Sequence, residues 1–126
     1  MPLKIKVETK GTGVYLVTLE GPLDATTHVS FEKQVEHILM PTTKMVILDM
    51  QEVDYISSLG LGAIFKIRQI LIKQNGNLGV TNLQPQVKKV FEAVAAMPNG
   101  IFANLQEVDD YLTEIQRNYK EKNKPY

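Results

Sequence analysis

Three observations predict an α/β fold built on a mixed sheet. The chain opens with two alternating or apolar segments around a glycine-rich reversal, its apolar spacing then switches to a helical period, and short apolar runs recur between the helical segments. Leu3, Ile5 and Val7 alternate with Lys4, Lys6 and Glu8, the period of a half-buried strand, and Lys10-Gly11-Thr12-Gly13 supplies the turn. Residues 14–19, VYLVTL, read as the antiparallel partner, which makes an opening hairpin. After Gly21-Pro22-Leu23-Asp24, the residues Phe31, Val35, Ile38 and Leu39 recur at helical intervals, with Thr26 or Thr27 available as a cap and Pro41 as the stop. Met45-Val46-Ile47-Leu48 is a continuous apolar run, read as a strand covered on both faces.

A second helix is predicted from Ser58 to about Gln74, where Asn75-Gly76-Asn77 forms a C-terminal stop. Leu78-Gly79-Val80-Thr81 is a weak strand. Pro85 opens a third helix, since its missing N–H costs nothing in a first turn, and Val87, Val90, Phe91 and Val94 point inward. Gly100-Ile101-Phe102-Ala103 reads as a last short strand. Asn104 and Glu107 resemble a capping box ahead of Val108, Leu112 and Ile115 on one helical face. A hairpin followed by alternating helices and strands implies right-handed crossovers. Residues 1–118 are expected to form a single domain and residues 119–126 a polar tail.

Composition excludes several classes of function. The 14 basic and 14 acidic residues cancel, so no whole-molecule field favours direct nucleic-acid binding or an anionic membrane. The absence of cysteine removes disulfides, thiolate nucleophiles and cysteine-ligated metals. No apolar run approaches the ~18 residues of a membrane span, and the N-terminus alternates instead of presenting an apolar signal core, so no membrane insertion and a cytoplasmic location are expected.

The stretch VDYISSLGLG, residues 53–62, joins a strand to a helix through two serines and two glycines. Ser58-Leu59-Gly60 could be half of a nucleophile elbow, but the preceding glycine is missing and both histidines, His28 and His37, come before the serine. Those histidines have no paired ligand at i+3 or i+4, which argues for solvated helix residues over metal ligands. Gly11 and Gly13 lack the spacing of a phosphate loop. Neither a catalytic residue, a metal site nor a cofactor can therefore be named, and an enzyme is not expected. Asp49, Glu52 and Asp54 crowd the approach to the serines. A helix N-terminus offers unpaired N–H groups and partial positive charge that favour a phosphate, but Ser57 and Ser58 could equally be ordinary caps. Gly60 and Gly62 would keep the first turn free of bulk.

The run LDMQEVDYISSLGLGAIF resembles the signature L-D-L-x-x-V-x-x-I-D-S-S-G-L-G of STAS domains of the anti-sigma factor antagonist kind, and Gly21-Pro22-Leu23-Asp24-Ala25-Thr26 resembles their G-x-L-D-x-x-T element. The resemblance implies a four- or five-stranded mixed sheet with helices mainly on one side. It also implies a binding module that docks on an anti-sigma factor, often itself a serine kinase, and so frees the sigma factor. Phosphorylation stops the docking and a serine phosphatase restores it. In the family's register the phosphorylated serine falls on Ser58. The usual preceding Asp is Ser57 here, a competing acceptor, and the following residue is Leu59. The partner surface implied is Asp24, Ser57, Ser58, Leu59, Gly60, Leu61 and Phe65. An alternative is a STAS interaction subunit without a phosphoswitch, serving a signalling complex or an inner-membrane lipid-transport assembly.

The helix after Ser58 is more apolar than a one-faced helix requires. Ala63, Ile64, Ile67, Ile70 and Leu71 form a stripe suited to the sheet, and Leu61, Phe65 and Ile72 form a second one. Either the helix carrying Val90, Phe91 and Val94 covers the second stripe, or Leu61 and Phe65 stay partly exposed as the apolar centre of a docking surface.

Overall fold

The computed structural model describes residues 2–96 and 105–122. Its elements run β1 (Lys4–Gly11), β2 (Val14–Glu20), α1 (His28–Glu36), β3 (Met45–Glu52), α2 (Ser58–Lys73), β4 (Asn77–Thr81), α3 (Pro85–Ala96) and α4 (Leu105–Lys122). The four strands lie in sequence order in one mixed sheet. β1 and β2 form the predicted antiparallel hairpin, and β2–β3 and β3–β4 pair in parallel. Gly13, with φ of 75°, takes the left-handed turn that closes the hairpin.

The register aligns Tyr15 with Val46 and Val17 with Leu48, so these side chains share one face. Val17, Leu19, Val46, Leu48 and Met50 are fully buried there beneath the helices. On the opposite face Leu16, Thr18, Met45, Ile47 and Asp49 are only half-buried. The helices therefore lie mainly against one side, as the fold class implies, and β3 is not a strand covered on both faces. The apolar run read as two-sided because Met45 and Ile47 of the open face are apolar too, although they are only half-buried. β3 also continues four residues beyond Leu48, to Glu52.

Phe31 and Val35 of α1, Ile64, Ile67 and Leu71 of α2, Val87 and Val90 of α3 and Leu112 of α4 complete the core. Several expected boundaries shift. α1 ends at Glu36, ahead of Pro41, yet Ile38 stays buried because bonds from Ile38 N–H to Val35 O (3.0 Å) and Leu39 N–H to Glu36 O (3.1 Å) continue the spacing as turns. Thr27 is the N-cap of α1 but gives it no side-chain bond. Its hydroxyl accepts from Asp24 N–H (2.9 Å) and donates to Pro22 O (2.9 Å). α4 continues to Lys122, past the expected start of the tail at 119. The expected strand at Gly100-Ile101-Phe102-Ala103 and the capping box of Asn104 with Glu107 lie outside the described residues and side chains.

α2 differs most from its predicted faces. Leu61 is 4% exposed and belongs to the core, not to an exposed stripe. Ile70, expected on the sheet, is 37% exposed because it lines a groove of about 310 Å³ between α1 and α2 with Val29, Leu39 and Ile67. Phe65 and Ile72 each remain 40% exposed, and α3, the helix expected to cover them, packs instead against α4.

Candidate functional site

The chain after β2 and the chain after β3 run side by side at one end of the sheet. Gly21 N–H donates to Glu52 O (3.0 Å), Leu23 N–H to Tyr55 O (3.1 Å) and Ser57 N–H to Leu23 O (3.0 Å), with Leu23 and Ile56 forming a parallel bridge. Fully buried Leu23, Val53 and Ile56 anchor these segments. The contact is tight enough to require glycine at 60, where a Cβ would overlap the Leu23 carbonyl oxygen. Asp24 follows directly on the bridged Leu23, so its turn lies beside the serines.

Ser57 and Ser58 occupy different environments. Ser57 is the N-cap of α2, with extended dihedrals of −97° and 174°, and its Oγ accepts from Gly60 N–H at 3.2 Å. It is almost wholly buried. Ser58 begins the helix, and its N–H donates to Asp109 Oδ1 of α4 at 3.0 Å. Its own Oγ is buried, with no hydrogen-bond partner among the described residues. The two serines are thus a cap and a hydroxyl with no bond to surrender.

Residues from the last two helices hold the turn. Gln116 of α4 is buried, and its amide closes on both backbone groups of Ile56, accepting from N–H at 2.9 Å and donating to O at 2.8 Å. Tyr55 and Thr113 hydroxyls are 2.6 Å apart. From α3, Gln86 donates to Asp54 O (3.0 Å), and Gln84, just before the helix, donates to Gln51 O (2.7 Å). Buried peptide groups in a loop need such partners. Sequence reasoning missed Asp109, Thr113 and Gln116. Their signal is a polar stripe at spacings of four and three beside the apolar stripe of α4.

Asp24 ties its own turn. Its Oδ1 accepts from Thr26 N–H (2.9 Å) and Thr26 Oγ (2.8 Å), and at 3.3 Å it shares the Thr27 hydroxyl proton with Pro22 O. Burial pushes its carboxyl up, but the bonds from Thr26 and Thr27 outweigh burial and hold it below its ordinary value. Asp49, expected beside the serines, turns to Gln51 N–H (3.1 Å) and the Asn82 amide (3.2 Å), and the carboxylate that reaches the serine turn is Asp109. Leu59 is 37% exposed, and a Cβ at Gly62 would meet nothing within 4 Å. Leu59, Gly62, Phe65 and Ile72 thus mark an uncovered flank of α2 leading away from Ser58. Gly60 and Leu61 are buried and offer no side-chain surface to a partner. Among the described residues no group of three His, Asp or Glu is placed to hold a metal ion, and no helix is long and apolar enough to cross a membrane.

This arrangement is that of a STAS domain, and residues 4–108 match that family. The chain belongs to the STAS domain family. It is 29% identical over 95 residues to BtrV of Bordetella bronchiseptica, provisionally named an anti-sigma factor antagonist, covering 75% of this chain and 82% of that one. Among solved structures it is similar to the Bacillus cell fate determinant SpoIIAA in its phosphorylated form, at 18% identity and a TM-score of 0.62, covering 86% of this chain and 99% of that one. It is also similar to the murine anion transporter Slc26a9, at 22% identity and a TM-score of 0.60, where 87% of this chain covers only 19% of the larger one. At such identities the structures share the fold.

Proposed function

We propose that this protein is an anti-sigma factor antagonist that binds an anti-sigma factor serine kinase when unmodified and is switched off by phosphorylation of Ser58. The observation that carries the reading is the division of labour between the serines: the Ser57 hydroxyl caps α2, and the Ser58 hydroxyl has no bond to give up at the first turn of the same helix. The name of BtrV and the phosphorylated state of SpoIIAA support the same reading. The docking surface is Asp24, Ser58, Leu59 and Phe65, and Ser57, Gly60 and Leu61 shape it from beneath. Release of the anti-sigma factor's hold on its sigma factor regulates transcription, and a serine phosphatase resets the switch.

The physical effect is local. A phosphoserine adds roughly −1.5 to −2 charges and considerable bulk to a surface already carrying Asp24 and Asp109. A penalty of about 3 kcal/mol weakens docking roughly a hundredfold, enough for a switch.

Intact mass and peptide mapping after incubation with the host's anti-sigma factor kinases and ATP test the assignment. One phosphate on Ser58 is expected, with Ser58→Ala binding the kinase constitutively and Ser58→Asp weakened. Phosphate on Ser57, or none with a kinase active on another antagonist, overturns it.

A further inference from the structure

We propose that α4 is a latch on the serine turn, and that phosphorylation of Ser58 opens it with Asp109 as the sensing charge. This rests on the reading of Ser58 as the phosphoacceptor. Three side chains on one face of α4 make the hold: Asp109 takes the Ser58 N–H, Thr113 meets the Tyr55 hydroxyl, and Gln116 closes on both backbone groups of Ile56. All three lie beyond the stretch that matches the family, which ends at residue 108.

Asp109 occupies the position an added phosphate needs. Its carboxylate accepts the backbone N–H of the residue whose side chain is to be modified, and the Oγ of that residue is enclosed without a partner. In the transfer, the Ser58 oxygen forms a bond to the γ-phosphorus of a nucleoside triphosphate brought by the kinase, the bond to the bridging oxygen breaks, the diphosphate leaves and the hydroxyl proton passes to a base on the kinase. The product puts a second anion beside Asp109 at the N-terminus of α2, where the Ser58 amide is already taken by that carboxylate. The basic residues of α4 cannot compensate. Arg117 and Lys120 lie roughly 12 and 16 Å farther along the helix by its rise, and Lys120 faces Asp54 at 3.8 Å.

Coupling of this kind is reciprocal. A closed α4 disfavours the modified state, and modification loosens α4 to the same degree. Release would uncover Tyr55 and Ile56 next to the docking surface, so the phosphate would reshape that surface besides charging it.

Amide hydrogen exchange on the full chain tests the latch. In Ser58→Asp, exchange across residues 109–120 is expected to rise at least tenfold while β2 and β3 keep their protection. The neutral isostere Ser58→Asn is expected to leave α4 protected, and adding Asp109→Asn to Ser58→Asp, which keeps an acceptor for the Ser58 amide but removes the charge, is expected to restore most of the protection. A second measurement follows phosphate incorporation into Ser58 by the kinase, expected to be several-fold faster in Asp109→Asn than in the wild type. If Ser58 is phosphorylated but α4 in the phosphoprotein exchanges as before, the latch is overturned and the proposed function stands. Equal loosening by Ser58→Asn also overturns it, because bulk and not charge would then be responsible. If no kinase modifies Ser58, the functional reading falls, and the trigger falls with it.

Discussion

Gly60 and Gly62 sit two positions apart in one helix turn and obey opposite constraints. At 60 the space for a Cβ is taken by the Leu23 carbonyl, whereas at 62 the space is open. Gly60→Ala is therefore expected to destabilise the fold by at least ~2 kcal/mol through overpacking against rigid backbone. Gly62→Ala is expected to stabilise it by about 0.5–1 kcal/mol, the usual gain of replacing glycine within a helix. Urea unfolding of the two variants checks the pair. Equal effects would show that α2 and the 21–24 segment do not meet as described. Asp24 yields a prediction in pH. Its folded value lies below the unfolded one, about 3.9, so its stabilisation is fully present above that value and is lost as pH falls through the lower folded one. The stability gap between the wild type and Asp24→Asn is expected to be constant from pH 7 to about 5 and to close on further acidification. A gap that persists unchanged to pH 2 would remove the carboxylate's role in the turn. Partner binding by Asp24→Asn, which keeps an acceptor for Thr26, then reports on charge at the docking surface separately from turn structure.

The helices divide into those whose role was readable in the sequence and those whose role depended on distant contacts. α2 was legible in extent, from Ser58 to a stop at 74–76, because N-cap serines and an Asn-Gly C-terminus bracket a long apolar run. Its faces were not, because periodicity alone cannot tell which of two apolar stripes a neighbouring helix covers. Leu61 went inward and Phe65 outward for that reason. Phe65→Ala is accordingly expected to cost well under the ~3 kcal/mol of a buried aromatic and to weaken docking instead. A large drop in melting temperature with binding intact would return Phe65 to the core. In α4 the apolar Leu112 was evident from spacing. The partners of Asp109 and Gln116 lie 51 and 60 residues earlier in the chain, a separation that no local pattern carries. Gln116→Ala leaves two buried backbone groups of Ile56 unpaired and is expected to cost about 2–6 kcal/mol, at ~1–3 kcal/mol for each orphaned group. Gln116→Glu keeps one of the two bonds and is expected to fall between it and the wild type. An unchanged melting temperature in Gln116→Ala would show that the side chain does not hold the turn.

At the scale of the molecule, element order and sheet type followed from a hairpin and alternating periods, since each pattern is local and mutually consistent. The candidate site was legible as a place, the strand-to-helix turn at 57–58, and the family register favoured Ser58 with Ser57 as a competing acceptor. Both serines precede the same Gly-Leu-Gly, and they differ in the cap dihedrals of Ser57, the bonding of their hydroxyls and a carboxylate from the last helix at Ser58. The site is therefore supported from both ends of the chain: the 21–27 segment on one side and α4 on the other. Unfolding of the sheet, the turn and α4 is expected to be a single cooperative transition with an enthalpy of roughly 80 kcal/mol at its midpoint, scaled from ~0.7 kcal/mol per ordered residue. A separate early transition in α4 by exchange or near-ultraviolet dichroism would mean that the turn is held independently of it.

The outer strand of the hairpin has one further consequence. Among the described residues β1 runs eight residues along one border of the sheet, much longer than the five-residue β4 at the other, and carries Val7 at 39% exposure. An uncovered rim of that length is a template on which a second copy could add its own strand. Lys4, Lys6 and Lys10 line β1, and Lys6 and Lys10 each approach Glu8 only loosely, at 3.9 and 3.8 Å, leaving their charge turned to solvent. Exposed lysines along an edge strand disfavour the addition of a second copy's strand, at little cost in fold stability. Their protection is electrostatic and so weakens as salt shortens the screening length to about 3 Å at 1 M. Lys6→Thr/Lys10→Thr, with the net charge moved from zero to −2 and strand propensity raised, is expected to leave the fold intact while making concentrated solutions prone to fibrillar precipitation.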